Sequence, residues 1–402
     1  MQRNVFNGPI DKLPCQSSAY DFGPFIGIGK NTFQQLRQAL AQTAKAMVAA
    51  KISPACLSTM VWIISPKAAQ ELRDQPRRTD LIFREVFGGN YPALDIREEN
   101  GLGAVTLSAT AAVSSIDSRY VYRQFTRSEL DRAYSARAAV PEHLEILSTW
   151  HERSEVFRSS RVAERITLTY GSIESQKIDL YLPTNRQALS QDPLPIHIFF
   201  HGGYWQALSK EEHGFLADSF VKEGIAFIAV DYSLCPAVTL GEIYREVRTA
   251  LLLIAKQAAR YGLRTRRWQV GGHSAGAQLA ALLATDQEVG PLISSLVLLS
   301  GIYDLEPLRY TNMNRVLDLD EVTIARQSPL GLLPVHPLNI VMTVGDKESG
   351  EFHRQSADFA MAWQKLSCKI MIIPSPGSDH FTVLELLSDP QTPLFKAAKS
   401  LF

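Results

Sequence analysis

The stretch Gly272-His273-Ser274-Ala275-Gly276 constrains the fold of this 402-residue chain more than any other. It follows an apolar run containing Trp268 and Val270, and it precedes an Ala/Leu-rich helical run that starts at Ala277. A G-x-S-x-G pentapeptide between a strand and a helix is the sequence form of a sharp, strained turn that presents a serine hydroxyl. The glycines let strand and helix approach closely. Ser274 is therefore a candidate nucleophile at a strand–turn–helix junction.

Three further segments stand in the order such a nucleophile needs. Upstream, Ile196 to Phe200 reads as a buried strand, followed at once by His201-Gly202-Gly203-Tyr204-Trp205. Backbone N–H groups of the Gly202, Gly203 and Tyr204 turn, with that of Ala275, are expected to form an oxyanion hole. His201 is expected to hold the loop and not to act as the base. Downstream, Ile340 to Val344 reads as a strand ending in Gly345-Asp346-Lys347-Glu348. A strand at Ile370 to Ile373 leads to Asp379-His380-Phe381. The order serine, acid, histidine is that of α/β-hydrolases. His380 would take the proton from Ser274, and an acid would fix its tautomer and stabilise the imidazolium. The acid is assigned to Glu348, three residues beyond Gly345, with Asp346 as the alternative and Asp379 as a third candidate.

Composition narrows the partners. Lys plus Arg and Asp plus Glu both number 41, so the formal net charge is zero. That balance gives no steering toward nucleic acid or an anionic membrane. No apolar run approaches the ~18–20 residues of a membrane span, and Met1 to Asn7 contains no secretory apolar core. A cytoplasmic location is the expectation. Cys15, Cys56, Cys235 and Cys368 are scattered without a C-x-x-C pair and read as buried thiols. No clustered His, Cys and Asp set suggests a metal, so neither metal nor cofactor is expected, and activity should be insensitive to a chelator.

Two unlike regions follow one another. Residues 1–123 carry a long amphipathic helix with Phe33, Leu36, Leu40, Ala44 and Met47 on one face, a β-like run Leu57–Ile64, a helix near Thr79–Phe87 and a β-like run Ala104–Val113. That order suits a small α+β domain. In residues 124–402 strands and helices alternate, with strands at Ile178–Leu182, Pro195–Phe200, Ile225–Val230, Trp268–Val270, Leu296–Ser300, Ile340–Val344 and Ile370–Ile373. Helices read near Lys210–Lys222, Leu240–Tyr261, Ala277–Leu283 and Phe352–Lys365. Apolar strands bounded by helices predict an α/β fold with a mostly parallel sheet covered on both faces. Asp304 to His336 has weaker periodicity and is expected to roof the pocket.

Residues from about 128 to 402 resemble the arylformamidase (kynurenine formamidase) branch of the α/β-hydrolases. The resemblance lies in Leu130-Asp131-Arg132-Ala133-Tyr134-Ser135, His201 to Trp205, Gly272 to Gly276, Gly301-Ile302-Tyr303-Asp304-Leu305, Ser328-Pro329-Leu330, Glu351 to Ser356 and Asp379-His380-Phe381. It implies a serine hydrolase that cleaves a small-molecule aryl formamide such as N-formyl-L-kynurenine, with Tyr204, Trp205 and Phe381 lining an aromatic pocket. That family usually has Asp where Glu348 stands. Two other activities share these motifs as expectations: a carboxylesterase on small acyl esters, and a bifunctional deformylase with an imine deaminase. A non-catalytic binding protein is disfavoured because serine, histidine and acid are all retained. Residues 1–123 are similar to the RidA (YjgF) family in Phe33–Ala50, Leu57–Ile64, Leu81–Phe87, Tyr91-Pro92-Ala93 and Val105–Ala111. Leu94 and Ser108 stand where that family carries Arg and Glu, which implies an assembly role for this domain, in a homo-oligomer and by resemblance a trimer.

Overall fold

The computed structural model describes residues 18–27, 31–50, 57–75, 79, 82, 83, 86, 93–100, 105–113, 120–123, 125–184 and 193–402. The first layer consists of strand β1 (Ser18–Ile26), helix α1 (Thr32–Ala49), β2 (Leu57–Ile64), α2 (Pro66–Asp74), β3 (Ala93–Glu98) and β4 (Thr106–Val113). The sheet order is β1-β4-β2-β3, antiparallel except for the β2–β3 pair. The α1 stripe packs as its 3.6-residue period requires. Phe33, Leu36, Leu40, Ala44 and Met47 bury against Met60, Trp62, Ile64 and Leu107 of the sheet. Helix α2 was not legible in the sequence; Ser65 caps it by accepting from the Ala68 N–H, and Pro66 opens it. Leu94 pairs with Met60 and Ser108 with Val61, so the two side chains lie on opposite faces of the sheet. Most of the helix expected at Thr79–Phe87, and also Tyr91, Pro92, Cys15 and Cys56, lie outside the described residues.

The boundary expected at residue 123 falls inside a small two-stranded hairpin of β5 (Tyr120–Tyr122) and β6 (Phe125–Thr126). Val121, Tyr122 and Phe125 pack on the core of the second region, so this hairpin belongs there. It leads into α3 (Arg127–Tyr134), opened by a Thr126/Glu129 capping box, then α4 (Ala136–Ala139) and the long α5 (His143–Ser159). Leu144 of α5 joins the hydrophobic cluster of the first layer, which ties the two regions together.

The second region is an α/β-hydrolase fold. Its eight strands are β7 (Ala163–Thr169), β8 (Lys177–Pro183), β9 (Ile196–Phe200), β10 (Ala226–Val230), β11 (Trp268–His273), β12 (Ile293–Leu299), β13 (Asn339–Thr343) and β14 (Lys369–Ile372). Their order is β14-β13-β12-β11-β9-β10-β8-β7, parallel from β14 to β10 and antiparallel where β8 and β7 join. Every residue of β9, β10 and β11 is buried, which is why β10 reads as an unbroken apolar run and β9 as one interrupted only by His197. Between them run α6 (Ala217–Lys222), α7 (Leu240–Gln257) and α8 (Ala275–Leu283). All nine residues of α8 are buried, and its sequence is correspondingly apolar all round. Strand β9 is flanked by β10 on one side and β11 on the other, so the chain reverses its direction across the sheet at β9. Loops leaving β9 and β11 at their C-terminal ends bound the crevice that such a reversal creates.

Candidate active site

Ser274 sits at the crest between β11 and α8 with φ 55 and ψ −117. A non-glycine residue at positive φ costs of order 1–3 kcal/mol and persists only where its surroundings fix it. Here the Ser274 N–H donates to the Leu299 carbonyl at 2.8 Å, and the Ala277 N–H caps the Ser274 carbonyl at 3.0 Å. The flanking glycines are required by contact. A Cβ on Gly276 would lie 2.0 Å from the Phe200 carbonyl oxygen, and one on Gly272 would lie 2.3 Å from the Gly276 carbonyl carbon.

The loop after β9 packs directly against this crest. A Cβ on Gly202 would lie 3.2 Å from the Ser274 Cβ. Gly203 has φ 106, with its carbonyl accepting from Gln206 and Ala207, and Tyr204 follows at φ 52. No backbone carbonyl among the described residues accepts from the Gly203 or Tyr204 N–H. His201 holds the loop from below. Its ring stacks flat on Tyr232 at 4.0 Å, its Nδ1 contacts the Gly202 carbonyl at 2.8 Å, and the Tyr232 hydroxyl donates to the His201 carbonyl at 2.7 Å.

The other two side chains arrive from the far strands. His380, in the loop after β14, places Nε2 3.0 Å from the Ser274 Oγ and Nδ1 2.6 Å from the Glu348 Oε2. Glu348 lies in the turn after β13. Its Oε1 accepts from the Gly345 N–H at 2.7 Å and from the Ser300 hydroxyl. Asp346 is solvent-exposed, so the alternative acid stands outside this chain of contacts. Asp379 is also excluded. Its Oδ1 accepts from the Phe381 and Thr382 N–H groups, each at 2.9 Å, and so caps the turn that carries His380.

His273, inside the pentapeptide, is a contact the sequence did not reveal. Its Nε2 lies 2.6 Å from the His380 carbonyl oxygen. Burial, and next the proximity of His380, hold its pKa well below the ordinary histidine value, so the ring is neutral. A neutral ring with its proton on Nε2 donates to that carbonyl and fixes the loop carrying His380.

A cavity of about 210 Å³ opens beside His380 and Glu348. Its apolar walls are Ala133, Ala136, Ala139, Val140 and Phe352, and its polar ones include Arg132, Ser135, Glu142, Lys347, Ser349 and Asp379. Most of this wall comes from residues 132–142, not from Asp304–His336 as expected. The latter segment folds into short helices, α9 (Glu306–Arg309), α10 (Asn314–Leu317) and α11 (Glu321–Gln327), that brace the wall from behind. Asn312 bonds Asp131 through both its N–H and its amide at 2.7 Å, the Arg127 guanidinium donates to the Tyr310 carbonyl at 2.7 Å, and Tyr122 donates to Asp304 at 3.3 Å. On the near side, the Tyr134 hydroxyl donates to Glu351 at 2.7 Å and Ser349 donates to the Ala133 carbonyl at 2.5 Å.

The three aromatic residues expected to line the pocket do other work. Trp205 is fully buried in the main core, with its indole N–H donating to Gln278 at 3.1 Å. Phe381 is buried in the second core, stacked on His143 at 5.7 Å and tilted against Trp150 at 6.2 Å, so it backs the His380 loop. The Tyr204 hydroxyl donates to the Tyr134 carbonyl at 2.5 Å, which joins the β9 loop to α3. An aromatic beside a functional turn satisfies the same sequence pattern whether it faces ligand or core. Phe352 is the ring that does meet the cavity, with its centroid 4.6 Å from that of His380. It lies on α12 (Gly350–Gln364), whose sequence gave the helix but not this role.

Among the described residues there is no group of three or more His, Cys, Asp or Glu placed to hold a metal. No helix among them is long and apolar enough to cross a membrane.

Known proteins share this arrangement of strands and loops. A family model described as BD-FAE matches residues 178–300, from β8 through the elbow to the end of β12. The solved structure of a protein described as a thioesterase from Silicibacter sp. superposes with a TM-score of 0.59 at 29% identity, covering 67% of this chain and 99% of that one. Esterase LipW of Mycobacterium marinum shares the fold, with a TM-score of 0.53 at 17% identity over 67% of this chain and 90% of its own. Kynurenine formamidase of Salmo salar is 34% identical over 278 residues, which cover 66% of this chain and 90% of that protein. The Danio rerio enzyme of the same name is 34% identical over 276 residues, with the same coverage. Identity at that level across nine-tenths of the relative, on a hydrolase sheet with a serine at its elbow, makes this chain a hydrolase belonging to the kynurenine formamidase family of α/β-hydrolases.

Proposed function

We propose that the chain hydrolyses the formyl amide of an aryl amine, a C–N bond other than a peptide bond, with N-formyl-L-kynurenine the leading substrate. The observation that carries this reading is the contact chain Ser274–His380–Glu348, at 3.0 and 2.6 Å, whose histidine and acid border a small cavity of mixed apolar and charged lining. The Ser274 Oγ attacks the formyl carbon while His380 Nε2 takes its proton. The Gly203, Tyr204 and Ala275 N–H groups, with Gly202 allowing the loop to approach, receive the negative charge that develops on the formyl oxygen. Collapse of the tetrahedral intermediate breaks the C–N bond, and His380 returns the proton to the leaving aniline nitrogen. Water then attacks the formyl ester on Ser274, with His380 again as base, and formate leaves. Glu348 holds Nδ1–H and offsets the charge of the imidazolium in both steps. The names of the relatives agree with this substrate class.

The esterase-like neighbours favour a second reading, a carboxylesterase on small acyl esters. A deaminase partner activity has less support, because Leu94 and Ser108 lie on opposite faces of their sheet. Formate release from N-formyl-L-kynurenine and nitrophenol release from a short-chain nitrophenyl ester decide between the hydrolase readings. The formamide is expected to show the higher kcat/KM. Rapid ester cleavage without detectable formate release would overturn the formamidase reading in favour of the esterase.

A further inference from the structure

The cavity mouth carries charge that the bond-breaking steps leave unused. Arg132 and Lys347 bring two cations to it, and Glu142 brings an anion, beside Asp379, whose Oδ1 is engaged by the Phe381 and Thr382 N–H groups. Arg132 stands in the last turn of α3, where its Nε contacts the Ser128 carbonyl at 3.4 Å and leaves four of its five N–H donors for other partners. Lys347 lies in the same turn as Glu348, held at its backbone by the Ser378 carbonyl at 3.0 Å. Glu142 immediately precedes α5. All three side chains are exposed and border one cavity, yet none forms an ion pair with another. The lining thus presents charges of both signs, with Ala133, Ala136, Ala139, Val140 and Phe352 as its apolar part.

We infer that this mouth is a subsite for an α-amino-acid head group, with Arg132 and Lys347 receiving the carboxylate and Glu142 the ammonium. The inference rests on the formamidase reading and adds to it which part of the substrate the enzyme selects. The Ser274 Oγ lies 3.0 Å from the His380 ring that borders the cavity, so an aryl formamide with its formyl carbon at Ser274 would lay its ring against Phe352 and the alanines and extend its ring substituent toward the charged residues. A zwitterionic substituent there meets complementary charge, and a neutral one gains nothing. Arg132 offers the planar fork suited to a carboxylate, and Lys347 adds a point charge. Because the groups are exposed, each contact is screened, so selection of about tenfold is expected, read mainly in KM.

The test compares two formamides that share ring, ketone and scissile bond. One is N-formyl-L-kynurenine and the other is 2'-formamidoacetophenone, which lacks the amino-acid head. The native chain should favour the first by about tenfold in kcat/KM, and the Arg132→Met/Lys347→Met double variant should bring the ratio near one. Glu142→Gln should lower the ratio in part. Calorimetric binding of L-kynurenine and of 2-aminoacetophenone to the native chain reads the mouth without chemistry, with L-kynurenine expected to bind more tightly. Equal kcat/KM in the native chain, or a ratio the double variant leaves unchanged, would overturn the subsite. Absence of formate from both compounds would instead overturn the formamidase reading, and the calorimetry would still judge the mouth by itself.

Discussion

Glu348→Gln is expected to lower kcat by about 10³–10⁴-fold while the chain stays folded, whereas Asp346→Asn should stay within about twofold of the native rate. The reason lies in how the carboxylate is held. Glu348 Oε1 faces two donors, the Gly345 N–H and the Ser300 hydroxyl, and Oε2 faces His380 Nδ1. A glutamine in this position keeps its carbonyl oxygen on the two donors and so turns its NH₂ toward His380. That arrangement forces the ring proton onto Nε2, where it blocks acceptance of the Ser274 proton. The charge that stabilises the imidazolium is lost as well. Asp346 is exposed and takes no part in these contacts. Steady-state formate release from both variants checks the pair, with circular dichroism confirming the fold. A crippled Asp346→Asn beside an active Glu348→Gln would reassign the acid.

Acid should unfold the hydrolase domain in a window set by its buried histidines. Burial pushes His143, His197 and His213 down to about 4, and His273 is held well below the ordinary value. Each is neutral in the folded chain and takes up a proton near pH 6.5 once unfolded. A depressed folded value means that the unfolded state binds more protons, so stability rises with pH across the window. The full contribution is present above about pH 6.5 and is lost as pH falls toward about 4. One histidine changes stability by up to ~1.4 kcal/mol per pH unit, and four act together against a total of roughly 5–15 kcal/mol. Burial raises the Glu212 pKa, but the hydrogen bonds from His151 and Ser209 outweigh it and hold the carboxyl below its ordinary value, which adds a further loss below about pH 4.5. Thermal unfolding followed by circular dichroism should show Tm falling by roughly 10 °C or more between about pH 7.5 and about pH 5. A flat Tm over that range would mean that these rings are already protonated in the folded state.

The hydrolase sheet was legible because its central strands are buried on both faces. Ile196–Phe200 and Ala226–Val230 are apolar at nearly every position, which short exposed strands are not. Strand β7 (Ala163–Thr169) escaped because it is an edge strand that is half exposed, with Glu164, Arg165 and two threonines among its seven residues. Helix α5 escaped for another reason. Its buried face includes His143 and Ser154 beside Leu144, Leu147, Trp150 and Phe157, which dilutes the apolar stripe. The positions of Ser274, His380 and Glu348 relative to their strands could be read from local spacing, since each stands in the turn or loop that follows a strand. The cavity wall could not. Residues 132–142 reach it from a segment that precedes the sheet, held there by tertiary contacts to Asn312, Glu351 and Ser349. Alanines at positions 133, 136 and 139 carry no sequence signal for a pocket, whereas Trp205 and Phe381 carry one that the core absorbs.

Titration of the full chain with an organophosphonate tests Ser274 as the formamide-cleaving nucleophile most directly. Peptide mapping gives the fraction of Ser274 modified, and formate release from N-formyl-L-kynurenine gives the activity that remains. Activity should fall in strict proportion as the modified fraction rises, with one equivalent of reagent abolishing turnover, and Ser274→Ala should neither take the label nor release formate above a trace. Full modification of Ser274 with formate release intact, or an active Ser274→Ala chain, would contradict it.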